Sequence, residues 1–311
     1  KELESRASAL LGKEAAIFMP SSTMCNLVAV GSHCAHREEV ILGKKSHIFL
    51  YEGGGASAFM GVSYSTVPNQ KDGTLSIEDI EQAIRPEDAH CPKTALVCLE
   101  DTQNACGGLV LPSGYHQEVA QFCQDKGLKL HLDGARIMNS AVATNRPVSK
   151  IVEGVDSVTL CLSKGLGAPI GGLLVGTQEL VDKALYLRKS LGGGMRQVGV
   201  LAAAGLYALD NNIDKIAADH MRARKLAEAI ADIPELEINL DSVQSNIVFF
   251  NVLTMTGDKF CQELEKHGVL MGGYPGGSTV RAVTHLDVSD EGIDHTIDVM
   301  KTVVQSISHV A

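Results

Sequence analysis

The sequence predicts an α/β fold: a doubly wound, mostly parallel sheet followed by a smaller α+β domain. Short β-rich runs alternate with stretches of helical spacing over the first two thirds of the chain, as in strand–helix–strand units. Beyond Pro234 the pattern changes to strands in closer succession. Reactive side chains also stand just past the ends of two apolar runs, where open α/β sheets bind their ligands.

The β-rich runs are Ala15 to Met19, Val40 to Leu42, Thr94 to Glu100, Lys129 to Leu132, Ser157 to Leu162 and Gly172 to Gly176. Between them, Ile77 to Ile84 has helical spacing after the N-cap candidate Ser76, and Gly114 to Lys126 has it up to the stop signal Gly127. A long charged amphipathic helix is expected from about Asn211 to Ile233, ended by Pro234. Strands are then expected at Glu235 to Leu240, Asn246 to Val252 and Val280 to Val283. The domain boundary is placed within that long helix, giving a large domain over 1–215 and a small one over 216–311. Glycines gather at 53–55, 165–172, 192–194 and 272–277, loops where a ligand can approach the backbone.

Bulk properties exclude several classes of function. A formal charge of −10 argues against a nucleic-acid or anionic-membrane partner. The longest apolar runs, such as Thr94 to Leu99 and Val158 to Leu162, are too short to cross a bilayer, so a soluble protein is expected. Eight scattered cysteines without a CxxC pair read as reduced thiols and a cytoplasmic compartment. The chain opens in what reads as a charged helix, with no targeting signal. An N-terminal segment is therefore expected ahead of it, and a mitochondrial address stays open.

Lys164 is the central candidate. In Ser163-Lys164-Gly165-Leu166-Gly167 it follows an apolar strand directly, and an amine withdrawn from water at such a rim is a Schiff-base nucleophile. Asp133, in Asp133-Gly134-Ala135-Arg136, ends another apolar strand and would emerge on the same rim, with Arg136 in reach of the same ligand. A pyridoxal ring needs such a carboxylate, which keeps its nitrogen protonated so that the ring can draw electrons from the substrate. Taken alone, each has a plainer reading, as a solvated loop lysine and as a helix-capping aspartate.

Three further groups complete the set. The turn Pro20 to Asn26 offers the hydroxyls of Ser22 and Thr23 and free N–H groups at a helix start, suited to a phosphate or to an ordinary cap. His47, five residues before Glu52 and the Gly53-Gly54-Gly55 run, is placed to stack on a cofactor ring and move protons. Arg281, on a strand of the small domain, can hold a carboxylate through two parallel bonds, although a lone strand arginine is often a solvated edge residue. No metal site is read from the sequence.

In this order the pieces resemble the fold-type I pyridoxal-phosphate enzymes, and the L-threonine aldolase family in particular. The resemblance covers nearly the whole chain. It rests on Lys13 to Phe18, Ser21 to Asn26, His47 with Glu52 to Ala56, His131 to Arg136, Cys161 to Gly167, Gly192 to Gln197 and Val280 to Leu286. It implies that Lys164 bonds the aldehyde of pyridoxal 5'-phosphate, that Asp133 pairs with the pyridine nitrogen and that His47 stacks on the ring. Ser22 and Thr23 would hold the phosphate, with Ser163 among the cofactor contacts. Arg136 and Arg281 would grip the carboxylate of an amino-acid substrate. Arg196 would reach the phosphate of a neighbouring subunit, so a homo-oligomer, dimer or tetramer, is expected.

The activity implied is cleavage of L-threonine or L-allo-threonine to glycine and acetaldehyde. Two departures from the family pattern qualify it. Glu100-Asp-Thr-Gln-Asn104 has Gln103 where the family usually has a histidine near the substrate hydroxyl; as a substrate contact, glutamine can hydrogen-bond but cannot act as a base at neutral pH. The family's opening stretch, whose serine helps hold the substrate carboxylate, is also absent from these residues. Alternatives are another fold-type I lyase or racemase acting on β-hydroxy amino acids, and a pyridoxal-phosphate-binding protein with weakened aldolase activity.

Overall fold

The computed structural model describes residues 1–274 and 276–308; position 275, in the glycine-rich stretch 272–277, and positions 309–311 lie outside the described residues. The chain divides into two compact units, Lys1–Cys106 with Val110–Asp214, and Gly107–Leu109 with Lys215–Ala311.

In the first unit seven strands form one sheet: β1 Ala15–Met19, β2 Glu39–Gly43, β3 Ser63–Val67, β4 Thr94–Glu100, β5 Lys129–Gly134, β6 Ser157–Cys161 and β7 Gly172–Gly176. Their order is β1-β7-β6-β5-β4-β2-β3. All neighbours run parallel except β7, which is antiparallel to both β1 and β6. The expected doubly wound, mostly parallel sheet is therefore present. Every residue of β2, β6 and β7 is buried, the pattern of strands covered on both faces. One layer of the cover is the helix Ser22–His33, whose Cys25, Val28 and Ala29 pack with Ile17, Met19 and Leu174. Of these, Val28, Ile17, Met19 and Leu174 each contribute about 1.5–3 kcal/mol by leaving water.

β3 was not expected. Its residues, SYSTV, make up an edge strand that is mostly half-buried, so no apolar run marks it. Ser76 caps the helix Ile77–Ala83 through the Asp79 amide, and Gly127, at φ +69°, follows the end of the helix Tyr115–Asp125, both as the sequence suggests.

In the second unit β8 Leu236–Glu237, β9 Ile247–Val252, β10 Gly272–Gly273 and β11 Thr279–Val283 form an antiparallel sheet in the order β10-β11-β9-β8. Along β11 buried and half-buried residues alternate, as on a sheet with one face packed. Phe250, Val280 and Ala282 pack with Phe260 of the helix Gly257–Glu265, with Leu226 and Ile230 of the helix Ile216–Ala231, and with Met300 of the last helix. The expected helix from Asn211 to Ile233 is shorter than predicted. A separate helix ends at Asn211 and a 3₁₀ turn, Ile213–Lys215, comes before Ile216–Ala231. Among the described residues no helix is long and apolar enough to cross a membrane.

Candidate active site

The parallel strands deliver reactive side chains to one rim of the first sheet. β1 leads through Pro20 and Ser21 into the helix Ser22–His33, and β2 leads to His47, first residue of a short helix. β4 ends on Glu100, β5 on Asp133 and Gly134, and β6 runs out three residues before Lys164. Because β2, β4, β5 and β6 share one direction, these are all carboxyl ends. Glu100, Asp133 and Thr159 are register partners across β4, β5 and β6, so their side chains leave the same face. Gly134 is required by closeness: a Cβ there would lie 2.7 Å from the Thr159 carbonyl oxygen.

A hydrogen-bonded line joins the two groups expected at the ring. Glu52 Oε1 lies 2.9 Å from His47 Nδ1 and accepts from Asn26 Nδ2 at 2.8 Å. The same Asn26 nitrogen donates to Asp133 Oδ2 at 2.9 Å, and the Ala135 amide donates to Asp133 Oδ1 at 3.1 Å. The bond to Glu52 raises the pKa of His47 above its ordinary value, helped by the charge of Asp133 and opposed by burial and by the charge of Lys164. Burial raises Glu52 in turn. Glu100, buried beside Asp133, is pushed up to about 7, chiefly by loss of water and then by its neighbour's charge. It accepts the His47 amide at 2.7 Å and the Asn104 amide at 3.0 Å, which fixes the loops after β2 and β4.

Behind Asp133 the line continues. His131 Nε2 is 3.2 Å from Asn26 Oδ1, its Nδ1 is 2.8 Å from Ser157 Oγ, and His33 Nε2 is 2.7 Å from the same hydroxyl. Burial lowers the pKa of His131 to about 3 and that of His33 to about 4.

Lys164, Asp133, His47, Ser22 and Thr23 are therefore carried to the carboxyl-end rim, where the sequence places Lys164 and Asp133. Ser21, not Ser22, is the helix cap: its side chain accepts the Met24 amide at 3.1 Å, leaving the earlier amides for an outside acceptor. Ser163 is exposed, and Arg136 is half-buried just before the helix Ile137–Thr144. Arg196 is exposed between the helices Gln178–Ser190 and Gly199–Asn211. Arg281 belongs to the second unit, on β11, with its guanidinium carbon 6.0 Å from the Phe249 ring centre.

Gln103 is 1% exposed and its amide is committed to the protein. Nε2 donates to the Lys45 carbonyl at 3.0 Å, and Oε1 accepts the Cys106 amide at 2.7 Å. Sequence reading assigned no role to Asn26, Glu52, Glu100 or His131. The available signals were the alternation that puts His131 on the same strand face as Asp133, and the four-residue spacing that puts Asn26 below Ser22.

The rim suits pyridoxal phosphate on its own chemistry. It combines a lysine, a buried carboxylate, a histidine and a helix amino terminus. Three buried hydroxyls around it, Ser46, Thr102 and Thr159, find no hydrogen-bond partner among the described residues, as expected of groups that meet a polar ligand. His47, Glu52 and Asp133 also bring one possible metal-ligand atom each within 4.8 Å of one another, but Asn26 already presents its amide hydrogens to both carboxylates.

Residues 1–252 match the family model described as beta-eliminating lyase. The chain belongs to the beta-eliminating lyase family, and within it to the L-threonine aldolases. Low-specificity L-threonine aldolase 1 of Arabidopsis thaliana is 42% identical over 96% of this chain and 84% of its own length. The low specificity L-threonine aldolase of Escherichia coli K12 is 42% identical over 93% of this chain and 84% of its own. A threonine aldolase structure from Leishmania major shares the fold, with a TM-score of 0.83 at 22% identity over 96% of this chain and 89% of that one. The chain is a fold-type I, pyridoxal-phosphate-dependent lyase.

Proposed function

We propose that the chain cleaves L-threonine and L-allo-threonine to glycine and acetaldehyde. The observation that carries this reading is the line His47–Glu52–Asn26–Asp133, on the rim that also bears Lys164, in a chain 42% identical to low-specificity threonine aldolases. Bound there, pyridoxal phosphate would supply an aldehyde for Lys164 and an electron sink for a broken Cα bond. Asp133 is the partner of the ring nitrogen, held by Asn26 and the Ala135 amide. His47 would lie against the ring, with Glu52 favouring its protonated form. The phosphate is assigned to Ser22, Thr23 and the free amides of their helix, with Ser163 beside Lys164.

Arg136 and Arg281 are assigned to the substrate carboxylate. Fixing that carboxylate would hold the substrate's Cα in one orientation within the site. Arg196 is assigned to the phosphate of a neighbouring copy. A homo-oligomer is supported by large apolar side chains left in water, Tyr186 at 77%, Val200 at 75% and Tyr207 at 62% exposure. Eight free cysteines support a reducing, cytoplasmic compartment.

The test is to titrate purified protein with pyridoxal phosphate, follow the visible absorbance, and assay acetaldehyde release from both substrates beside Lys164→Ala. Release by the wild type that disappears in Lys164→Ala supports the reading. A protein that stays colourless, or a Lys164→Ala variant as active as wild type, rejects it.

A further inference from the structure

Asn26 is 1% exposed and all of its hydrogen-bonding capacity towards the site is in use. Its nitrogen faces two carboxylates, Glu52 at 2.8 Å and Asp133 at 2.9 Å, so both of its hydrogens are engaged and its oxygen must accept from His131 Nε2 at 3.2 Å. That sets the state of everything behind it. A neutral His131 with its proton on Nε2 leaves Nδ1 as an acceptor, so the Ser157 hydroxyl donates to Nδ1 and accepts from His33 Nε2–H. Burial, which lowers both histidines, fits two neutral rings. Donors and acceptors alternate without conflict from His33, at the far end of its helix, to the rim.

We propose that Asn26, oriented by His131 and Ser157, is a positioning residue that locks the carboxylate partner of the ring nitrogen and the histidine–glutamate pair into one rigid unit. Asp133 Oδ1 is turned by the Ala135 amide and Oδ2 by Asn26, which leaves one carboxylate orientation for the cofactor nitrogen. Glu52, which orients His47, is tied to the same Asn26 nitrogen, so any rotation of that one amide would release both arms. An amide is the only side chain of this size that donates twice and accepts once here. Aspartate would put a third carboxylate against two others, and leucine would leave both short of a donor. The inference rests on the assignment of Asp133 to the ring nitrogen.

The experiment uses full-length wild type, Asn26→Asp, Asn26→Leu, His131→Gln and His131→Leu, reconstituted with pyridoxal phosphate. It reads cofactor dissociation constant, visible spectrum and its pH dependence, kcat and KM. Both Asn26 variants are expected to bind cofactor about tenfold or more weakly, the scale of one lost hydrogen bond to a charged group. Their absorbance maximum and its pH midpoint should move, with kcat falling further than KM rises. His131→Gln keeps an N–H donor for Asn26 and should stay near wild type, whereas His131→Leu should behave like the Asn26 variants. Affinity and spectrum unchanged in Asn26→Leu overturn the proposal. A wild type that binds no cofactor rejects the functional reading instead. Should the variants fail to fold, ¹⁵N magic-angle-spinning spectra of histidine-labelled wild-type holoenzyme decide: His131 protonated on Nε2 supports the chain, and protonated on Nδ1 overturns it.

Discussion

Glu100 and Asp133 lie side by side on neighbouring parallel strands, in register and both buried, so two carboxyl groups share one dry end of the sheet. Loss of water and the charge of Asp133 raise Glu100 from an ordinary 4.5 to about 7. In that window the folded state holds a proton that the unfolded chain has released. Stability from this group is therefore present at low pH and lost as pH rises from 4.5 through 7.

Glu100→Gln removes that ionisation and keeps one carbonyl acceptor for either the His47 or the Asn104 amide; its NH2 cannot accept the other, a loss that does not vary with pH. Relative to wild type, it should gain up to ~1.4 kcal/mol of stability per pH unit between 4.5 and 7 and level off above. Urea unfolding at pH 5, 6, 7 and 8 measures this. Parallel stability curves for the two proteins would contradict the raised value.

His131 predicts the opposite slope. Its pKa falls from 6.5 to about 3 through burial, so below pH 6.5 the unfolded chain takes up a proton that the folded protein refuses. Stability from this group is complete above 6.5 and declines as pH falls towards 3. His131→Gln should flatten the acid limb by up to ~1.4 kcal/mol per pH unit over that range. Denaturant titrations of both proteins between pH 7 and 4.5 check it, and an unchanged limb would mean that the folded ring accepts a proton.

Residues such as Lys164 and Asp133 were legible because each follows an apolar strand, and a strand end is a local feature that a single stretch of sequence displays. Asn26 and His131 were not, since their meaning is a meeting of the helix Ser22–His33 with β5, more than a hundred residues apart in the chain. β3 escaped for a related reason: its polar edge residues show no apolar run. The long helix expected from Asn211 was over-read because its charged spacing continues across the 3₁₀ turn at Ile213–Lys215. The pairing of β7 against its neighbours is likewise set by topology, which spacing along the chain does not record.

Gln103 is a tie between loops, which yields a test of the weakened-aldolase alternative. Gln103→Leu should cost about 1–3 kcal/mol, because the Lys45 carbonyl and the Cys106 amide lose their buried partner. Gln103→His should change acetaldehyde release by less than about tenfold, since a missing general base would restore 100-fold or more, roughly, when replaced. A larger gain would show that proton transfer at this position limits the wild type.

Gly134→Ala tests how tightly the β5 rim is built. A Cβ at position 134 would meet the Thr159 carbonyl oxygen at 2.7 Å, Val158 Cγ1 at 3.0 Å and Ile137 Cβ at 3.1 Å. The first of these is backbone of the neighbouring strand, which cannot rotate aside as a flexible side chain can. β5 or β6 must therefore shift, at about 1–3 kcal/mol for this kind of overpacking. Asp133 is the preceding residue, so the same shift would pull its carboxylate away from Asn26 Nδ2. The variant should unfold at lower urea and also bind pyridoxal phosphate more weakly than wild type under conditions where both are fully folded. Loss of stability with cofactor affinity intact would mean that the strain is absorbed on the β6 side, away from Asp133.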